Sequence, residues 1–109
     1  MIYEVIMTAQ ADADLRGIYE YIAFELLSPD NARVQLERLE ESIIGLKEFP
    51  RRFRLYGKEL WHSRGLRVML VDNYHVFYIP DDITRRVTIM RVMYDGRNVD
   101  EQLKQHTKI

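Results

Sequence analysis

Apolar residues recur three and four positions apart at Leu15, Ile18, Tyr19, Ile22 and Leu26, the spacing of one buried face of a helix. Thr8 stands where a cap for that helix belongs, just after a short apolar opening, IYEVIM, that reads as a strand. A second helical period runs through Ala32, Leu36, Leu39, Ile43 and Leu46. SPDN at 28–31 announces its start: Ser28 can cap, Pro29 suits a first turn whose donor is unpaired anyway, and Asp30 complements the helix dipole. Pro50 stops it. From residue 65 the period changes. GLRVMLV and YHVFYIP are β-branched and aromatic, and Asp72-Asn73 between them suits the left-handed backbone of a tight hairpin. RVTIMRVMY follows the polar turn DDIT as a further strand. Asn98 and Glu101 stand at capping-box spacing before a short terminal helix, QLKQ.

The elements predict an α+β fold: an N-terminal strand, an antiparallel helical hairpin packed on an antiparallel sheet, and a short C-terminal helix. At 109 residues and 47% apolar content the chain suits a single domain spanning residues 1–109. Cysteine is absent, which excludes disulfides, thiolate metal sites and a thiol nucleophile. No apolar run approaches the roughly 18 residues needed to span a bilayer, and the N-terminus lacks a signal-peptide pattern. A cytoplasmic location, with no membrane partner, is the expectation.

Charge changes this picture. Lys+Arg against Asp+Glu number 3 and 9 over residues 1–46, 7 and 2 over 47–67, and 6 and 6 over 68–109, which sums to the net −1. The middle segment, KEFPRRFRLYGKELWHSRGLR, is thus a basic patch in a near-neutral protein. A solvated loop would explain it; so would a surface built from Arg51, Arg52, Arg54, Lys58, Trp61 and Arg64 that binds nucleic-acid bases or a partner's acidic, aromatic tail. His62 and His106 read as exposed and His75 as a hydrogen-bonded strand residue. No histidine pair has metal-ligand spacing, so neither a metal nor another cofactor is expected.

DLRGIYEYIA, FPRRF, GLR leading into VDNYHVFY, and the closing RVMYDGR, in that order, resemble the RelE/ParE superfamily of bacterial type II toxins over roughly residues 3–103. The resemblance implies a growth-inhibiting toxin, of the kind that also serves plasmid stabilisation, neutralised by a cognate antitoxin that wraps around it. In RelE-like members the target is ribosome-bound mRNA; in ParE-like members it is DNA gyrase. Metal-free RNA cleavage needs a base, an acid and cations that hold the phosphate. A RelE-like reading would assign these roles to Tyr94, Arg91, Arg97 and Arg67 as catalytic residues. Against it, Leu70 and His75 stand where the RNA-cutting members carry arginines, which brings the chain closer to the ParE-like branch. The alternative for the same residues is structural: Tyr94 closing the core edge, Arg91 paired with an acid of the helical hairpin, Arg97 solvated.

Overall fold

The computed structural model describes residues 2–57, 59–95 and 101–103. Strand β1 (Glu4–Met7) leads into helix α1 (Ala9–Glu20), which widens at its end into a π-helical turn over Tyr21–Glu25. Helix α2 (Pro29–Ile44) returns antiparallel to it. Short 3₁₀ turns at Gly45–Lys47 and Pro50–Arg52 and a helix α3 (Glu59–Ser63) then lead to β2 (Arg67–Val71), β3 (Tyr74–Asp81) and β4 (Arg86–Tyr94).

The strands form one sheet in the order β1-β4-β3-β2. β2, β3 and β4 make the expected antiparallel meander. β1 adds to it beside β4 and parallel to it, pairing only Glu4 to Met7 with Arg86 to Ile89. The β2–β3 turn is the expected one in part: Asp72 takes the left-handed conformation at φ 54°, and Asn73 does not. The carboxylate of Asp72 accepts from Arg38 Nε and Nη2 at 2.8 and 2.7 Å and from Gln35 Nε2 at 3.0 Å, which ties the turn to α2.

Thr8 caps α1 as its position requires. Its hydroxyl accepts from the Ala11 amide at 3.0 Å and donates to the Met90 carbonyl at 3.0 Å. Ser28 stands at the start of α2 but does not cap it through its side chain; Asn31 Nδ2 donates to Ser28 Oγ at 2.7 Å instead. Leu26 departs from its expected place on the buried face. α1 has widened by then, and the side chain is exposed.

Each face of the sheet has its own core. The helices cover one face, where Leu15, Leu39, Ile43 and Leu46 meet Val76, Tyr78, Ile89 and Val92. The other face holds Val68, Phe77, Met90 and Met93 beneath Trp61 of α3 and Leu103 of the short helical segment at 101–103. The Asn98 cap expected for that segment lies outside the described residues.

Candidate functional site

The structure places the candidate residues in two separate regions, one along the β2 edge and one at the far end of β3 and β4. At the first, the residues before β2 run beside it. Leu55 bridges to Arg67, the Val68 amide donates to the Arg54 carbonyl, and the Tyr56 amide donates to the Leu66 carbonyl. Arg67 holds this run down, because its Nη1 donates to the carbonyls of Arg51 and Phe53 at 3.0 and 2.7 Å. Its Nε is buried and unpaired among the described residues. Tyr78 anchors the same run from beneath by donating to the Pro50 carbonyl at 2.6 Å, and burial pushes its phenol up to about 12. Arg67 therefore serves as a brace in this arrangement, with its donors turned to backbone oxygen.

The cations above that brace differ in how far they are committed. Arg51 pairs with Asp82 at 3.0 Å, and Asp82, which also accepts from Tyr3, has its carboxyl held below the usual range. Arg52 donates to the Glu48 carbonyl and lies over the Phe53 ring at 5.0 Å. Arg52 and Phe53 border an open depression of about 310 Å³ that Met69 and Val71 also line. Arg54 and Arg64 are exposed and have no acidic partner among the described residues. Trp61 does not line this surface. It is 5% exposed, packed into the second core, so it supports the basic run from below. Lys58 and Arg97 lie outside the described residues.

The second region forms where β1 ends early. Past Ile89, β4 has lost its parallel neighbour, and the backbone groups on that side need other partners. Met90 is an extra residue in the ladder, since Tyr78 pairs with Ile89 and Phe77 with Arg91. The bulge interrupts the strict alternation that the sequence implies and leads Arg91 to α1. There Asp14 accepts from Arg91 Nε and Nη2 at 2.8 and 3.0 Å and from the Val92 amide at 2.9 Å. Arg91 is 8% exposed, so its guanidinium is spent on joining the hairpin to the sheet. This is the structural alternative named for it above.

Tyr94 closes the strand at 50% exposure, its ring edge-on to that of Tyr74 at 5.6 Å. Tyr74 is buried, and burial first, then the neighbouring Tyr94, Asp72 and Tyr21, push its phenol up. Tyr21, from the widened end of α1, therefore belongs to this end of the molecule. His75 stacks on Phe77, with Nε2 3.7 Å from Asp95 Oδ1 and a buried Nδ1 that has no partner among the described residues. Asp14, Tyr21 and Tyr74 were not singled out by sequence, because they read as ordinary helix and strand positions.

The two regions do not converge. Arg67 pairs with Tyr78, and Tyr94 pairs with Tyr74, four residues away on β3, or about 13 Å at the rise of a strand. Among the described residues, no hydrogen bond joins a cation to the Tyr94 hydroxyl, whose ring contact is with Tyr74.

A small α+β protein with a helical hairpin on a mostly antiparallel four-stranded sheet has the RelE/ParE-like fold. A chain of the chromosomal ParDE toxin-antitoxin system from P. aeruginosa is similar at a TM-score of 0.73, with 17% identity, covering 87% of this chain and 98% of that one. A chain of the RelBE2 toxin-antitoxin complex of Mycobacterium tuberculosis is similar at 0.62, with 22% identity and coverage of 89% and 95%. A chain of the E. coli RelBE complex is similar at 0.60, with 16% identity and coverage of 87% and 99%. No curated protein matches by sequence. The family model for the ParE toxin of the type II toxin-antitoxin system, parDE, matches residues 5–99, so this chain belongs to the ParE toxin family.

Proposed function

We propose that this toxin inhibits growth in the cytoplasm by binding and poisoning DNA gyrase, and that a cognate antitoxin neutralises it by laying an acidic segment on the β2-edge run from Arg51 to Arg67. The observation that carries the gyrase reading is the separation of Arg67, braced on backbone carbonyls, from Tyr94, with Arg91 locked on Asp14 between helix and sheet. Phosphate-holding cations and an acid-base group would have to meet for RNA cleavage. Leu70 and His75, in place of arginines, support the same reading, as does membership of the ParE toxin family. The solved ParDE and RelBE structures are toxin-antitoxin systems, which supports an antitoxin partner here.

Inducing the toxin while following plasmid supercoiling, DNA breakage and message decay tests the reading. Gyrase poisoning gives relaxed or broken DNA with intact messages. Rapid message cutting on ribosomes, with DNA unaffected, would select the second reading, a RelE-like endoribonuclease. That reading draws on the half-exposed Tyr94 and the exposed Arg54 and Arg64.

A further inference from the structure

At the tip of the α1–α2 hairpin, large apolar side chains stand in solvent: Tyr21 at 56% exposure, Phe24 at 66% and Leu27 at 82%, with Leu26 beside them. Tyr21 and Phe24 both stand on the π-helical turn Tyr21–Glu25. The backbone is shaped to present them. The Leu26 amide reaches back to the Tyr21 carbonyl at 3.0 Å, the five-residue step of a π turn, and Leu27 takes φ 53° where glycine is the usual residue. Neither burial nor backbone preference accounts for a leucine at that position.

The charge around the tip has one sign. Residues 20–30 contain Glu20, Glu25 and Asp30 and no Lys or Arg. None of the three has an ion pair among the described residues, whereas the nearby cations are spent: Arg16 on Asp12, Arg33 on Glu37, Arg38 on Asp72 and Arg91 on Asp14. Tyr94, half-exposed and edge-on to the buried Tyr74, extends the aromatic surface from the sheet side.

We propose that this tip is a docking surface for a protein groove with an apolar floor and a basic rim, and, resting on the gyrase reading above, that the groove belongs to gyrase. An enzyme that handles DNA carries basic surfaces for phosphate, so the complementarity has a physical source. The same charge argues against the other occupants. Two tips of this chain would face each other acid to acid, and an anionic lipid surface or a nucleic acid would be repelled. Clustered aromatic side chains are usual anchors of such contacts, and exposed leucines beside them add apolar area to bury.

The test measures binding to purified gyrase holoenzyme and inhibition of supercoiling, with wild-type toxin and three variants: Phe24→Ser with Leu27→Ser, Glu20→Lys with Glu25→Lys, and Ile83→Ser. Ile83 is an exposed apolar residue of the β3–β4 turn and controls for general stickiness. The apolar double variant should weaken binding by about 30-fold or more at an unchanged melting temperature. The charge variant should weaken it and flatten its salt dependence, and Ile83→Ser should bind like wild type. Should the apolar double variant prove poorly folded, Phe24→Ser alone gives the same reading. Wild-type inhibition that persists in both tip variants, or that falls equally in Ile83→Ser, overturns the tip while leaving the gyrase reading intact. A wild-type toxin that neither binds nor inhibits gyrase overturns both.

Discussion

The β2 edge and the far end of β3 and β4 use arginine in opposite ways. At the far end, Arg91 is buried and satisfied by Asp14, and what remains on the surface is aromatic and acidic. Along the β2 edge Arg67 alone is turned inward, and Arg51, Arg52, Arg54 and Arg64 stay on the surface. The contrast shows that net charge says little here. A chain of net −1 pairs many of its charges. Among the described residues it leaves Arg54 and Arg64 without an acidic partner along the β2 edge and Glu20, Glu25 and Asp30 without a basic one at the hairpin tip. Each of these surfaces suits a partner of the other sign.

The sharpest way to break the contrast is to remove one acid from each side. Asp14→Ala takes from the buried guanidinium the carboxylate to which Nε and Nη2 donate and from the Val92 amide its acceptor, and denaturant unfolding should record a loss of about 3–5 kcal/mol. Asp82→Ala removes a partner of exposed Arg51 and should cost no more than about 1 kcal/mol. Equal losses would mean that Arg91 is not structural in the way described.

Replacing Arg51, Arg52 and Arg54 together by Ala should lower affinity for the cognate antitoxin by about 30-fold, with a shallower salt dependence, while the protein stays folded. Titrations that coincide with wild type would remove the basic run from the antitoxin interface.

Tyr78→Phe tests the brace beneath that run. Loss of the bond to the Pro50 carbonyl should cost about 1–2 kcal/mol. Because burial raises the folded-state phenol to about 12, its contribution is present below the ordinary value of 10.0 and is lost as pH rises toward 12. Alkaline unfolding of the Phe variant should therefore show a weaker dependence on pH over that window.

Tyr94→Phe should change least: an unaltered melting temperature and undiminished toxicity, measured by growth on induction. Tyr94→Ala, at a half-exposed site, should cost only about 1 kcal/mol, below the range for a buried aromatic. A Phe variant that keeps its stability but loses ribosome-dependent cleavage would make Tyr94 an acid-base group and select the nuclease reading.

The helices, the meander, the Thr8 cap and the left-handed Asp72 were all legible, because each is dictated by neighbours within a few residues. Ser28 shows where local reasoning runs out. The hydroxyl suited to a cap bonds to Asn31 instead, so Ser28→Ala should change stability by no more than about 0.5 kcal/mol. The bulge at Met90, the parallel pairing of β1 with β4, the burial of Trp61 and the turn of Arg67 toward the carbonyls of Arg51 and Phe53 depend on partners distant in sequence. They decide the site, since they determine which arginines reach the surface. No period or motif encodes them.

The parallel pairing of β1 with β4 also bears on when the toxin becomes a toxin. Glu4 and Arg86, joined across that pair, are 82 residues apart, so β1 leaves the ribosome well before β4, the strand it pairs with. Until then the hairpin exposes the apolar faces that the sheet will cover, and no early fragment can close the fold. Chains halted before Arg86 should lack amide protection in β1, as pulsed hydrogen exchange on stalled ribosomes can show. The toxin thus acquires its working shape only once β4 has been made, however early its helical hairpin emerges.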